Sequence, residues 1–338
     1  MKEAMFYEKL ADKRVNCNLC SHRCRKIAES KRGLCGVREN IDGKLFSLVY
    51  GRLVARSVDP IEKKPLFHFL PGSLSYSIST VGCNFRCANC QNFDISQLPS
   101  ERKVVVGNET SPESVISAAK ENGCKSIAYT YTEPTIFFEY ALDVAKLAKK
   151  AGLRNVFVTN GYITEEALRE IAPYLDAANI DLKSFSDEFY RNNCGAHLQP
   201  VLDSIKLHKS LGIWVELTTL VIPTLNDSEN ELNQIASFIK EKVGAETPWH
   251  LSGFHPMYKL LDVPRTPVVT LQKARQIGFD AGLKYVYVGN VPGENGENTY
   301  CPNCGEKVIQ RYGYHIEKNR LEQSKCPQCE KKIDGVFA

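Results

Sequence analysis

Ser79-Thr80-Val81-Gly82-Cys83-Asn84-Phe85-Arg86-Cys87-Ala88-Asn89-Cys90-Gln91-Asn92 reads as a β-strand end, a tight turn, and a loop with C-x3-C-x2-C spacing. Three thiolates bind three corners of a cubane iron-sulfur cluster and leave the fourth iron without a protein ligand. A structural zinc ion needs a fourth ligand close by, and from Gln91 to Ser100 the chain offers neither Cys nor His. The stretch therefore reads as an open-site cluster loop placed directly after a first strand.

Outward from this loop, short β-prone runs alternate with longer helical patterns, the rhythm of βα units around a parallel sheet. Strands are predicted at Ser77 to Val81, Ser126 to Tyr131, Asn155 to Thr159, Ala178 to Asp181, Val215 to Val221 and His250 to Phe254, with a seventh at Tyr285 to Val288. Pro112 to Asn122, Ile136 to Ala151, Glu165 to Ala172 and Ser228 to Val243 carry three-to-four-residue apolar spacing and are predicted as helices. Six or seven such units fall short of a closed eight, so the fold class is α/β, a partial (β/α)6 TIM-type barrel. The chemically distinctive residues follow the strands: Cys83, then Glu133 and Pro134, Asn160 and Gly161, Lys183, and His255 and Pro256. Loops after the strands of a parallel barrel open on one face, so these five strand ends are expected to converge on one mouth.

The chain has 338 residues and thirteen cysteines, and eleven of the thirteen fall into three groups. Cys17, Cys20, Cys24 and Cys35 form one, the cluster loop a second, and Cys301, Cys304, Cys326 and Cys329 a third; Cys124 and Cys194 stand alone and read as packing. The first group suits either structural zinc or a second iron-sulfur cluster. The third, two matched C-P-x-C knuckles, suits a zinc ribbon or a rubredoxin-type site, with zinc favoured. The expected division is an N-terminal extension over 1–66, a core over 67–299 and a metal module over 300–338. A net charge of +4 without long like-charge blocks neither demands nor excludes a nucleic-acid partner. No secretory signal and no apolar run of about 18 residues is present, which predicts a cytoplasmic protein away from membranes, its cysteines held as thiols or metal ligands.

With these motifs in place, the chain resembles the radical S-adenosylmethionine (SAM) superfamily, in particular the group related to pyruvate formate-lyase activating enzyme. Most specifically it is similar to the radical SAM component of the AmmeMemoRadiSam system. The resemblance rests on the cluster loop and on Thr130-Tyr131-Thr132-Glu133-Pro134-Thr135, Val158-Thr159-Asn160-Gly161-Tyr162, Ile180-Asp181-Leu182-Lys183-Ser184, Leu220-Val221-Ile222-Pro223-Thr224-Leu225-Asn226-Asp227 and Val288-Gly289-Asn290-Val291-Pro292-Gly293, in that order. It implies a 4Fe-4S cluster on Cys83, Cys87 and Cys90, SAM chelated to the open iron, and reductive cleavage to a 5'-deoxyadenosyl radical that abstracts hydrogen. It also implies a flavodoxin- or ferredoxin-type electron donor and partner proteins of the AmmeMemoRadiSam system.

By the same resemblance Thr132 and Glu133 lie where the SAM amino group is accepted, Thr159, Asn160 and Asp181 lie near SAM, and Lys183 and His255 stand at the catalytic mouth. Each has a plainer reading. Glu133 suits a helix N-terminus, Asp181 and Lys183 suit a strand-end ion pair, and His255 suits a hydrogen-bonded loop. Val158 stands where activating enzymes usually carry Asp, and Asn89 where the superfamily usually carries an aromatic residue, so a cation site and the adenine contact lose their usual residues. Two other functions remain open: an activase for a glycyl-radical enzyme, and a metal-clustered scaffold that binds protein or RNA. The substrate is undetermined, with a macromolecular one expected from the gap in an incomplete barrel wall.

Overall fold

A computed structural model describes residues 1–291 and 295–337. Its central sheet has eight strands, β1 (Ala55–Pro60), β2 (Leu74–Ser79), β3 (Ser126–Tyr129), β4 (Arg154–Thr159), β5 (Ala177–Asp181), β6 (Trp214–Val221), β7 (Trp249–Gly253) and β8 (Val286–Gly289). They lie side by side in chain order, and β2 to β8 are all parallel. All seven strands expected from the sequence are present. β1 was not foreseen: it comes from the N-terminal extension and runs antiparallel to β2, pairing Ala55 with Ser79 and Pro60 with Leu74.

Alternation along the strands separates two faces. Ile78, Ile127, Tyr129, Phe157 and Leu217 join the main core with the helices, whereas Ala128, Val156 and Ala177 pack inside against Ile61, Leu66 and Phe69. The helices α1 (Pro112–Glu121), α2 (Phe138–Lys150), α3 (Glu165–Ile171), α4 (Leu198–Ser210), α5 (Glu229–Phe238) and α6 (Val268–Asp280) fall between the strands. Local chemistry sets their starts. The side chains of Ser111 and Ser228 cap α1 and α5 by accepting from the amides of Ser114 and Glu231.

Because β1 is antiparallel, the segment after Pro60 crosses the N-terminal end of the parallel strands and forms a floor. Glu216, fully buried on β6, holds it by accepting from the amides of Phe67 (3.0 Å) and His68 (2.8 Å), from Trp214 Nε1 (3.0 Å) and from His250 Nε2 (2.7 Å). The C-terminal sheet, β9 (Thr299–Tyr300), β10 (Lys307–Tyr312) and β11 (His315–Asn319), packs against this floor. Arg311 donates to Phe67 O (2.8 Å), His68 donates to Asp334 O (2.6 Å) and accepts from the Tyr287 hydroxyl (2.6 Å), and Phe69 bridges to Val336.

The edge strands β1 and β8 are not hydrogen-bonded to each other, so the wall is incomplete. At the mouth, the loop after β7 reaches across to the loop after β2. Lys259 N donates to Ala88 O (3.0 Å), and the rings of Phe93 and Tyr258 stack at 4.7 Å. Among the described residues no helix is long and apolar enough to cross a membrane. Pro292 and Gly293, the last of the motif residues, lie outside the described residues.

Candidate metal and cofactor site

Cys83 follows β2 through Gly82, whose φ is +105° and where a Cβ would come within 2.8 Å of Val37 Cγ1. Only glycine turns the chain here without a clash. Cys83 Sγ accepts from Phe85 N (3.3 Å), and Cys90 Sγ lies 3.2 Å from Ser96 Oγ. The loop backbone is pinned from outside by a π-turn, Tyr190–Cys194, whose Cys194 and Asn193 carbonyls accept from Arg86 N (2.8 Å) and Ala88 N (2.9 Å). Gly195, left-handed at φ 67°, closes that turn. Asn193 also donates to Asn89 Oδ1 (2.8 Å), which gives Asn89 a partner on the π-turn.

Glu133 is buried and accepts four hydrogen bonds. The donors are Thr135 N (3.0 Å), Thr135 Oγ1 (2.6 Å), Thr159 Oγ1 (2.8 Å) and Asn160 N (2.9 Å). Burial raises its pKa despite these donors. The carboxylate caps the 3-10 turn that leads into α2 and ties the end of β3 to the end of β4. Asn160 then donates from Nδ2 to Asn84 Oδ1 (2.8 Å) and lies 3.8 Å from Cys83 Sγ. Glu133, Thr159, Asn160 and Cys83 thus form one connected set. Thr132 stands beside it, donating to Thr80 O (2.9 Å) with Ser79 Oγ at 2.8 Å.

Asp181 and Lys183 form the strand-end ion pair at 2.7 Å, with side chains 33% and 20% exposed, so the pair faces the mouth. Burial would lower the lysine pKa, but Asp181 and the nearby thiols of Cys87 and Cys194 raise it well above its ordinary value. The Cys87 thiol is held below its usual range by a hydrogen bond with Cys194, against burial and with help from Lys183. His255 is partly exposed after β7, in the loop that crosses to Ala88, and makes no hydrogen bond among the described residues.

The three loop thiols suit a cluster with one open iron. Asn84 Nδ2 beside them is buried without a hydrogen-bond partner, as a donor to a cluster sulfur would be. In the C-terminal module, Cys301, Cys304, Cys326 and Cys329 bring their Sγ atoms within 4.8 Å of one another, with Cys301 to Cys329 and Cys304 to Cys326 both at 3.6 Å. That set can hold a metal ion.

Sequence reasoning missed the hydrogen-bonding place of Cys194, although its status as a thiol left over from three tidy groups was a signal. It also missed a buried polar set under the mouth. Asp59 on β1 accepts from Lys64 Nζ (2.7 Å), Ser77 Oγ (2.7 Å), Lys63 Nζ (2.8 Å) and the Tyr131 hydroxyl.

Residues 77–238 match the model of the radical SAM superfamily. An uncharacterized protein of Methanocaldococcus jannaschii is 48% identical over all of both chains. The pyruvate formate-lyase-activating enzyme of Clostridium pasteurianum is 24% identical over 60% of this chain and 87% of its own length. Streptococcus suis SuiB, solved with S-adenosylmethionine, shares the fold at a TM-score of 0.51 and 12% identity over 68% of this chain; the chain spans about half of SuiB, 53%.

Proposed function

From a chain that belongs to the radical SAM superfamily and is an enzyme, we propose reductive cleavage of S-adenosylmethionine at Cys83, Cys87 and Cys90, followed by hydrogen abstraction from a substrate. When bound, the 4Fe-4S cluster supplies an electron and an open iron for the amino and carboxylate groups of SAM. The observation that carries this reading is the convergence of the three-thiol loop with Asn160, Asp181 and Lys183 at one mouth. Lys183 sets a positive charge beside Cys87, and Asp181 holds the ammonium in place. Glu133 positions Thr159 and Asn160, and its four protein donors support a positioning role over direct capture of an amino group. His255 lies in the loop that closes over the opening and is offered to the substrate side.

Anaerobic reconstituted protein, incubated with SAM and dithionite, should release methionine and 5'-deoxyadenosine. Joint replacement of Cys83, Cys87 and Cys90 by Ala should abolish both products. Release that survives in the triple variant would refute the reading. Deuterated candidate substrates that pass deuterium into 5'-deoxyadenosine would name the hydrogen donor.

A partner-delivered, macromolecular substrate suits the wall between β1 and β8, where Ser57 stays exposed above the plugged floor. On this reading the AmmeMemoRadiSam partner proteins, a cytoplasmic setting and a flavodoxin- or ferredoxin-type donor follow. Activation of a glycyl-radical enzyme is the second reading, favoured by a match along 87% of an activating enzyme. A glycyl-radical EPR signal on an added partner would select it. The C-terminal four-cysteine site is proposed for zinc: tetrahedral Zn–S bonds of about 2.3 Å place sulfurs about 3.8 Å apart, close to the 3.6 Å observed.

A further inference from the structure

We propose that Cys17, Cys20, Cys24 and Cys35 hold a second iron-sulfur cluster, placed against the catalytic loop as its electron entry point. The electron-entry part rests on the function proposed above; the metal assignment stands on its own geometry.

The four thiols, separated by up to ten intervening residues in sequence, line one small void together with Arg38 and Ile136. A single tetrahedral ion draws its sulfurs to about 3.8 Å. Among the described residues, only the C-terminal four are gathered within 4.8 Å of one another. The N-terminal thiols and those of the catalytic loop both stand wider. One molecule therefore shows two spacing classes, and the N-terminal set falls with the cluster loop, since ligands of a cubane sit on separate irons.

Arg38 supplies a second observation. Its guanidinium is buried in an ion pair with Glu139 at 2.6 Å, yet its Nε–H is buried with no partner. A buried unpaired donor beside four thiols is what a negatively charged sulfur cage would satisfy.

The two thiol sets are also joined. His22, between Cys20 and Cys24, hydrogen-bonds to Asn84 O at 2.7 Å, next to Cys83. Arg86 donates to Leu34 O, next to Cys35. Gly82 packs so closely that a Cβ there would lie 3.4 Å from Cys35 O and 3.5 Å from Ile136 Cδ1, and Ile136 lines the N-terminal void. One electron would pass from a low-potential carrier of the flavodoxin or ferredoxin class, which is oxidised, through this cluster to the catalytic one, which is reduced. No bond or proton changes in the transfer.

Iron, sulfide and zinc are measured on the anaerobically reconstituted full chain and on Cys17→Ser/Cys24→Ser. Two cubanes predict about eight irons and eight sulfides per wild-type chain, and about four of each in the variant, with zinc equal in both. Cleavage of SAM driven by reduced flavodoxin, divided by that driven by dithionite, should fall at least tenfold in the variant on the order expected for a lost relay. About four irons with a second zinc in the wild type overturns the proposal, whether or not the variant folds. Unchanged flavodoxin dependence in a variant that has lost its iron overturns the relay. Failure of dithionite-driven cleavage in the wild type would instead remove the proposed function and leave the metal count to decide this one.

Discussion

The Cys194 carbonyl accepts from Arg86 N at 2.8 Å and the neighbouring Asn193 carbonyl from Ala88 N at 2.9 Å, so two residues of the π-turn hold the backbone of the cluster loop. Gly195, left-handed at φ 67°, closes that turn, and a side chain there costs about 1 to 2 kcal/mol. Gly195→Ala should therefore lower the unfolding free energy by about that amount and reduce the iron retained on the loop. Denaturant titration and metal analysis of the variant check both, and an unchanged stability would contradict the relationship.

Glu133 gathers four donors, so Glu133→Ala leaves buried groups of Thr135, Thr159 and Asn160 unpaired. A loss of roughly 3 kcal/mol in unfolding free energy is expected, with a smaller loss for Glu133→Gln. Because Asn160 is released from the Cys83 side, the EPR change on SAM addition should also weaken. Denaturant titration and EPR of the two variants check this.

His208 on α4 donates Nδ1–H to Ser204 O (2.8 Å) and is fully buried, which lowers its pKa to about 4 from 6.5. Folding thus favours the neutral ring. Its contribution is complete above pH 6.5 and is lost as pH falls from there toward about 4, on the order of 3 kcal/mol in all. His208→Met should flatten this acid limb relative to wild type. Urea unfolding at about pH 7.5 and about pH 4.5 provides the comparison; equal slopes in both proteins would exclude the histidine as the source.

Cys304→Ser/Cys329→Ser should cost one zinc equivalent and leave the iron count unchanged. Since the module packs on Phe67, Tyr285 and Tyr287, its loss should also loosen the floor and lower the thermal midpoint. Metal analysis and calorimetry check the two parts separately.

The seven parallel strands were legible because their apolar runs alternate with helical spacing, and the mouth was legible because Cys83, Glu133, Asn160, Lys183 and His255 all follow strands. β1 was not: Ala55–Pro60 has exposed Arg56 and Val58 on one face and Ser57 and Asp59 on the other, so no apolar alternation marks it. Buried charge was hidden for a related reason. Glu62, Glu216 and Arg311 carry no local sign of burial, because their partners come from distant parts of the chain. Glu133 stood out through its motif, but its four protein donors lie on turns whose approach only the fold determines. Cys124 packs in the main core as expected, whereas Cys194 does so while its carbonyl also holds the cluster loop at Arg86 N.

His68 meets Asp334 across 266 positions of sequence, and Phe69 meets Val336 beside it. The floor therefore cannot be sealed until Asp334 and Val336 are in place. Contacts of such long range form late and slowly. Until the late strands dock, Phe67, Tyr285 and Tyr287 beneath the barrel lack their apolar cover, so a chain caught at that stage is the aggregation-prone one.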